Sequence, residues 1–302
     1  MSELIRVLPE IERALRSGRP VVALESSVLA QGLPIPQNRE AAERMTAAVL
    51  SKGAMPAITA VVHGTPTVGL EPDELERFLR REGVRKVSAR DLPTAIARKL
   101  DGATTVAATL AIAHAAEIDV FATGGIGGVH RNAPFDESAD LAELARTPMI
   151  VVCAGAKAIL DLPATWERLE SLGITVVGYR TRELPGFFTA ETGIELDTAV
   201  DDAREIAAIF RASRAVGRLG SVLVVQAPPA GFALDRLAVE AAVDEALGEI
   251  SRDGIRGAAV TPYLLGAVTR LTGGSSMTAN LALLEQNAAL AAEIATICAA
   301  EK

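Results

Sequence analysis

Short apolar runs alternate along this chain with longer stretches whose apolar residues recur at helical spacing. Leu4, Leu8, Ile11 and Leu15 share one helical face, which predicts a helix over 3–17, stopped by Gly18 and Pro20. VVALES (21–26) reads as a buried strand, and Pro36 and Asn38 open a helix over 38–51. ITAVVHG (58–64) and TVGL (67–70) predict paired strands around a Thr-Pro turn, followed by a helix over 73–82. A strand near 85–88, a helix over 91–99, a helix over 106–116 capped by Thr104 or Thr105, and a strand over 120–125 come next. PMIVVCAG (148–155), GITVVGY (173–179) and SVLVVQAPP (221–229) are further strands, and helices are predicted over 161–172, 200–216, 234–251 and 275–300.

Strands alternating with helices indicate an α/β layer structure. There is no internal repeat, no low-complexity linker and no convincing domain boundary, so 1–302 reads as a single domain.

The 302 residues, 49% hydrophobic and 23% charged, suffice for a large core. The net charge of −8 comes without a basic stripe, which argues against nucleic-acid binding. The two cysteines, Cys153 and Cys298, make no disulfide framework and suit a reducing compartment. The amphipathic, acid-containing N-terminus is neither a signal nor a transit peptide, and no uninterrupted apolar run approaches membrane-spanning length. A soluble, cytoplasmic protein without a membrane partner is expected.

Five segments carry candidate chemistry. Lys157, in VVCAGAKAIL, follows an apolar run and is flanked by small residues. An ammonium beside apolar surface is disfavoured as a charge, which makes a nucleophilic amine accessible for Schiff-base chemistry. A lysine snorkelling from a strand end is the competing reading. Glu25 ends a buried strand, a setting that suits a proton donor but equally an ion-paired structural acid. Lys86, in RKVSARD beside Arg85 and Arg90, reads as a solvated strand-edge lysine or a phosphate contact. ATGGIGGVHR (122–131) brings glycines whose N–H groups can approach an anion, followed by His130 and Arg131. In FDESAD (135–140), Asp136 and Asp140 flank Ser138, a pattern that suits a hard divalent cation but suits a helix N-terminus better. Asn280 begins the periodic 278–295 segment, as a cap or a ligand contact. No zinc-type spacing, phosphate-binding Walker segment or nucleophile elbow is present.

Taken in order, LESSVLAQGLPIPQN, RKVSARDL, DGATTVAATL, TGGIGGVHR, FDESADL, VVCAGAKAILDLPAT and TPYLL resemble segments of the pseudouridine-5′-phosphate glycosidases, also called the indigoidine synthase A-like family. The resemblance covers nearly the whole chain. It implies a three-layer α/β/α fold with a central mixed sheet, a homotrimer, and one Mn²⁺ per subunit. It implies cleavage of the C-glycosidic bond of pseudouridine 5′-phosphate to uracil and ribose 5-phosphate, with Lys157 as Schiff-base nucleophile and Glu25 as proton donor. By position, Asp136 matches the metal ligand. Lys86, Val106, Ser138, Ala139, Asp140 and Asn280 match substrate contacts, Asp140 also as a proton shuttle, with His130 a neighbour of phosphate or metal. Gln31 stands where the family usually has histidine, and 185–188 and 274–280 depart from its pattern. These departures motivate the alternative of a biosynthetic C-glycoside synthase that joins ribose 5-phosphate to another aglycone. A non-catalytic sugar-phosphate binder ranks below both, because Lys157 and Glu25 are present.

Overall fold

The computed structural model describes residues 4–131, 135–255 and 260–301. The chain begins with a two-residue strand, β1 (Arg6–Val7), and the helix α1 (Pro9–Arg16). The helix expected over 3–17 is therefore shorter, because Pro9 occupies a first-turn position, where its missing N–H costs nothing, and the residues before it pair with the sheet. β2 (Val21–Leu24), α2 (Gln37–Ser51), β3 (Met55–Val62) and β4 (Thr65–Val68) follow. The β3–β4 turn is made by His63 and Gly64, both at positive φ, and the expected Thr-Pro turn lies inside β4 instead.

Next come α3 (Pro72–Leu79), β5 (Arg85–Val87), α4 (Leu92–Ala97), β6 (Gly102–Thr104), α5 (Val106–Ala115), β7 (Val120–Ala122), β8 (Val129–His130) and α6 (Ala139–Leu144). The rest of the chain forms β9 (Ile150–Cys153), β10 (Leu160–Asp161), α7 (Leu162–Ser171), β11 (Thr175–Tyr179), β12 (Ala199–Val200), α8 (Ala203–Ala215), β13 (Val222–Val225), α9 (Arg236–Asp253), α10 (Val260–Leu271) and α11 (Ser275–Ala300). Strands β6, β8, β10 and β12 and helix α10 were not expected, whereas α6 begins at the helix start read in FDESAD. The strands are too short to show a period of two. Val200 belongs to β12, so α8 starts later than expected, with Asp202 accepting from the Arg204 N–H at 2.8 Å.

The main sheet runs β1-β4-β3-β2-β7-β9-β13-β11-β12. From β2 to β12 every neighbour is parallel; β3 pairs antiparallel with β4 and β6, so the sheet is mixed as expected. Residues of β2, β7, β9 and β13 are all buried, as befits strands covered on both faces. α11 packs against α2, α8, β2, β7 and β9, while α5 packs against α6, β3 and β4. Among the described residues α11 alone is long and apolar enough to cross a membrane, and it is spent on this packing. β8 and β10 form a separate antiparallel ribbon. The carboxyl ends of the parallel strands all open on one edge, where ligands bind in open α/β sheets.

Candidate active site

Glu25 is the first residue beyond β2 and is 5% exposed. Ser27 Oγ donates to Glu25 Oε2 at 2.5 Å, and the Thr123 hydroxyl, just past β7, donates to Oε1. Glu25, read from sequence as a proton donor or an ion-paired structural acid, is thus held by two hydroxyl groups. The strand ends beneath it are held by a buried hydroxyl cluster. Ser26 Oγ lies 3.2 Å from Thr104 Oγ1, which lies 2.9 Å from Thr59 Oγ1, and the Thr104 N–H donates to Ser26 Oγ at 2.9 Å.

Lys157 follows β9 through a turn that only glycine can make. Gly155 has φ +86°, and a Cβ there would stand 2.0 Å from the Pro185 carbonyl oxygen. The Lys157 N–H donates to Ile126 O at 3.1 Å, which ties the turn to the glycine-rich loop. The residue is half-buried between buried Ala156 and Ala158. Among the described residues no carboxylate pairs with Lys157 or Lys86. Cys153, one turn away, is fully buried, and burial pushes its thiol up to about 12, so it is no competing nucleophile.

Lys86 projects from β5. Its pKa is lowered, first because its ammonium sits among protein atoms in a concave site and then by repulsion from Lys157, with Asp140 and Glu25 opposing. The side chain still meets solvent in the open cavity, which places it at a mouth rather than in a core. Mutual influence among these four groups shows that strand ends far apart in sequence converge.

Two chambers meet here. The inner one, about 50 Å³, is lined by Val28, Gln31, Phe187, Leu265 and Asn280. The outer one, about 630 Å³, has a mixed wall that carries charged and hydroxyl groups beside aliphatic ones, with Val106, His130, Asp136, Ser138, Ala139 and Asp140 on it. Glu25, Ser27, Lys86 and Lys157 line both. All ten sequence-selected residues therefore border this double cavity: Asn280 the inner chamber, the six just named the outer, and Lys157, Glu25 and Lys86 the boundary. Arg90 also lines the outer chamber, whereas Arg85 does not.

One amide of the glycine-rich loop is already bonded within the chain. The Gly127 N–H donates at 2.8 Å to Asp140 Oδ2, and a Cβ on Gly127 would stand 2.2 Å from Ser138 Oγ. Asp140, in turn, is a clamp: its Oδ1 accepts from the Ala107 N–H at 3.0 Å in the first turn of α5. Both carboxylate oxygens serve backbone amides, which explains why this acid is buried. Ser138 caps α6, accepting from the Asp140 N–H at 3.2 Å, so the helix-start reading of FDESAD holds for that half of the motif.

Asp136 differs. Its carboxylate is 63% exposed, and its Oδ1 lies 3.3 Å from His130 Nδ1. Among the described residues no cluster of three or more His, Cys, Asp or Glu is placed to hold a metal. One exposed carboxylate fits a hard divalent cation only if water fills the remaining positions.

Ser27, Thr123, Phe187 and Leu265 were not singled out from sequence. A hydroxyl residue directly after a buried strand was the available signal for Thr123. Phe187 lay within the flagged 185–188 segment; its N–H donates to Ala154 O at 3.0 Å and its ring stacks edge-on to Phe188 at 4.6 Å.

Comparison with known proteins agrees with this geometry. The chain is 62% identical over 290 residues to the pseudouridine-5′-phosphate glycosidase of Gemmatimonas aurantiaca, covering 96% of this chain and 95% of that protein. It is 51% identical to that of Herpetosiphon aurantiacus, with 98% of each covered. The crystal structure of the prealnumycin C-glycosynthase AlnA in complex with ribulose 5-phosphate superposes with TM-score 0.92 at 40% identity, over 100% of this chain and 99% of that one. An indigoidine synthase A-like protein of Thermotoga maritima superposes at 0.89 with 34% identity, covering 97% and 95%. The family described as "Indigoidine synthase A like protein" matches residues 10–297, and with full-length relatives at this identity the chain belongs to that family, the family of the pseudouridine-5′-phosphate glycosidases.

Proposed function

We propose that this protein is an enzyme that reversibly cleaves the C-glycosidic bond of pseudouridine 5′-phosphate, giving uracil and ribose 5-phosphate, in nucleobase catabolism. The observation that carries the reading is the boundary between the two chambers. A lysine amine without an ion-pair partner among the described residues and a buried carboxylate stand where a small, largely apolar chamber meets a large one with charged and hydroxyl groups on its wall. In this reading the heterocycle enters the first, the sugar phosphate the second, and the bond between them lies at Lys157. The relatives' names support the same chemistry.

A bond from sugar carbon to base carbon resists the carboxylate-pair hydrolysis used on ordinary glycosides. Lys157 Nζ instead attacks the anomeric carbon, the ring C–O bond breaks, and the released oxygen takes a proton. The lysine nitrogen then loses a proton, and its electron pair forms a C=N bond as the carbon–carbon bond breaks. The base carbon takes a proton and uracil leaves. Water adds to the iminium, releasing ribose 5-phosphate and restoring the amine. Glu25 gives the first proton to the ring oxygen, takes the one that the lysine nitrogen loses and passes it to the base carbon, held in place by Ser27 and Thr123. Asp140 fixes the loop and the α5 terminus, which makes it a positioning group in this reading rather than the shuttle suggested by sequence. Lys86 meets the phosphorylated sugar, with Val106, Ser138, Ala139 and His130 on the same wall.

The reading includes one Mn²⁺ per subunit, carried by Asp136 with water and with His130 beside it. Such an ion supplies positive charge for phosphate and for water when bound. A single-domain, cytoplasmic homotrimer completes the reading. A second reading, synthesis of a different C-glycoside, draws on the likeness to the C-glycosynthase at 40% identity, but the 62% relative favours the first. Incubation with pseudouridine 5′-phosphate and Mn²⁺ is expected to release free uracil. Release of none, with C–C bond formation to some other aglycone, would select the second reading.

A further inference from the structure

The inner chamber has an apolar wall of Val28, Phe187 and Leu265, closed by the backbone of Gly124 and Gly125. Two residues of its lining, Gln31 and Asn280, hold buried side-chain oxygens, Oε1 and Oδ1, that have no hydrogen-bond partner among the described residues. Buried amide oxygens are nearly always satisfied, and an orphaned one calls for a missing donor. Two of them lining one small chamber next to an unpaired amine call for a ligand with two N–H groups. Gln31 belongs to a π-type turn, Val28–Gly32, that follows β2, a geometry often found at functional sites. Asn38 of α2 holds this turn by donating to Leu29 O at 2.9 Å. The Gln31 Nε2 lies 3.5 Å from Val84 O, with Oε1 left as the unpartnered atom of the amide among the described residues.

We infer that Gln31 selects the aglycone, its Oε1 accepting one ring N–H of the heterocycle while Asn280 accepts a second. The inference rests on the reaction proposed above and extends it to the base. A pyrimidine dione joined to sugar through carbon keeps both ring N–H groups, whereas one joined through nitrogen has given one of them up. Two acceptors at this point thus distinguish carbon-linked from nitrogen-linked bases, and exclude heterocycles that present acceptors there.

The test runs the full-length protein in the bond-forming direction, with ribose 5-phosphate and each of uracil, 1-methyluracil and 3-methyluracil. Borohydride trapping with ribose 5-phosphate alone is the companion measurement. For Gln31→Met, the expected result is about a tenfold fall in kcat/KM for uracil, expressed in KM. Discrimination against one of the two methyl isomers should disappear with it. Trapped adduct at the wild-type level shows that the variant is folded and the sugar end intact. Gln31→Glu, which keeps an acceptor oxygen at the same reach, is expected to retain the discrimination that the methionine variant loses. An unchanged uracil KM and unchanged methyl discrimination in Gln31→Met, with normal adduct, would overturn the assignment of Gln31 alone. Absence of any adduct in the wild type would instead overturn the reaction on which it rests.

Discussion

The two halves of the site are built differently. Glu25 and Lys157 stand on the ends of fully buried parallel strands, locked by hydroxyl donors, a glycine turn and backbone bonds to the neighbouring loop. Lys86, His130 and Asp136 stand on a three-residue strand, a two-residue ribbon and a loop, and Lys86 and Asp136 face open solvent. The rigid half suits bond making and breaking, which tolerates little misplacement. The outer half suits capture of a charged, hydrated group. The contrast teaches that turnover and affinity should be separable by mutation.

The sharpest test of that contrast is Lys157. Lys157→Ala is expected to abolish turnover and the borohydride-trapped ribose 5-phosphate adduct together, and Lys157→Arg to do the same, because a guanidinium stays protonated. An adduct that persists in either variant, mapped by peptide mass, would move the nucleophile elsewhere. Glu25→Gln comes next, with turnover lower by roughly 10²–10⁴-fold and ribose 5-phosphate affinity nearly normal. Loss of affinity comparable to the loss of turnover would place Glu25 in the binding half and erase the division.

On the outer side, Asp136→Ala is expected to remove the response of activity to added Mn²⁺ and most of the activity with it. Full wild-type activity after exhaustive chelation would show that no metal is needed. The smallest effect belongs to Lys86→Ala, which should weaken ribose 5-phosphate binding about 10- to 100-fold, the range for a charge-assisted contact, with the turnover of bound substrate largely kept. Its pH dependence has a definite sign. The lowered pKa means that the ammonium is lost at lower pH than in free lysine, so phosphate affinity should fall as pH rises through that lowered value. Lys86→Arg should bind without that alkaline fall, and titration calorimetry across pH would show whether it does.

Much of the rigid half was legible in sequence. A lysine in an apolar run and an acid at the end of one are departures from a buried-strand pattern, and such departures mark sites. The outer half was legible only as motifs, since FDESAD read better as a helix start and RKVSARD better as a solvated strand edge. What sequence could not give was partnership. The Thr123–Glu25 bond joins residues 98 apart, and Asn287 reaches Thr123 O across 164. The glycines of 124–128 looked like an invitation to an anion, but the anion at Gly127 is the chain's own Asp140. Two-residue strands such as β8 and β10 exist only because a partner lies beside them.

The amide ladder at the back of the site joins segments far apart in the chain. Asn287 on α11 donates to Thr123 O at 2.9 Å and receives from Gln226 Nε2 at 2.9 Å, while Asn280 on the same helix walls the inner chamber. The wall of the inner chamber is thus supplied by a helix more than a hundred residues beyond Lys157, and the chamber exists only where that helix is docked on the sheet.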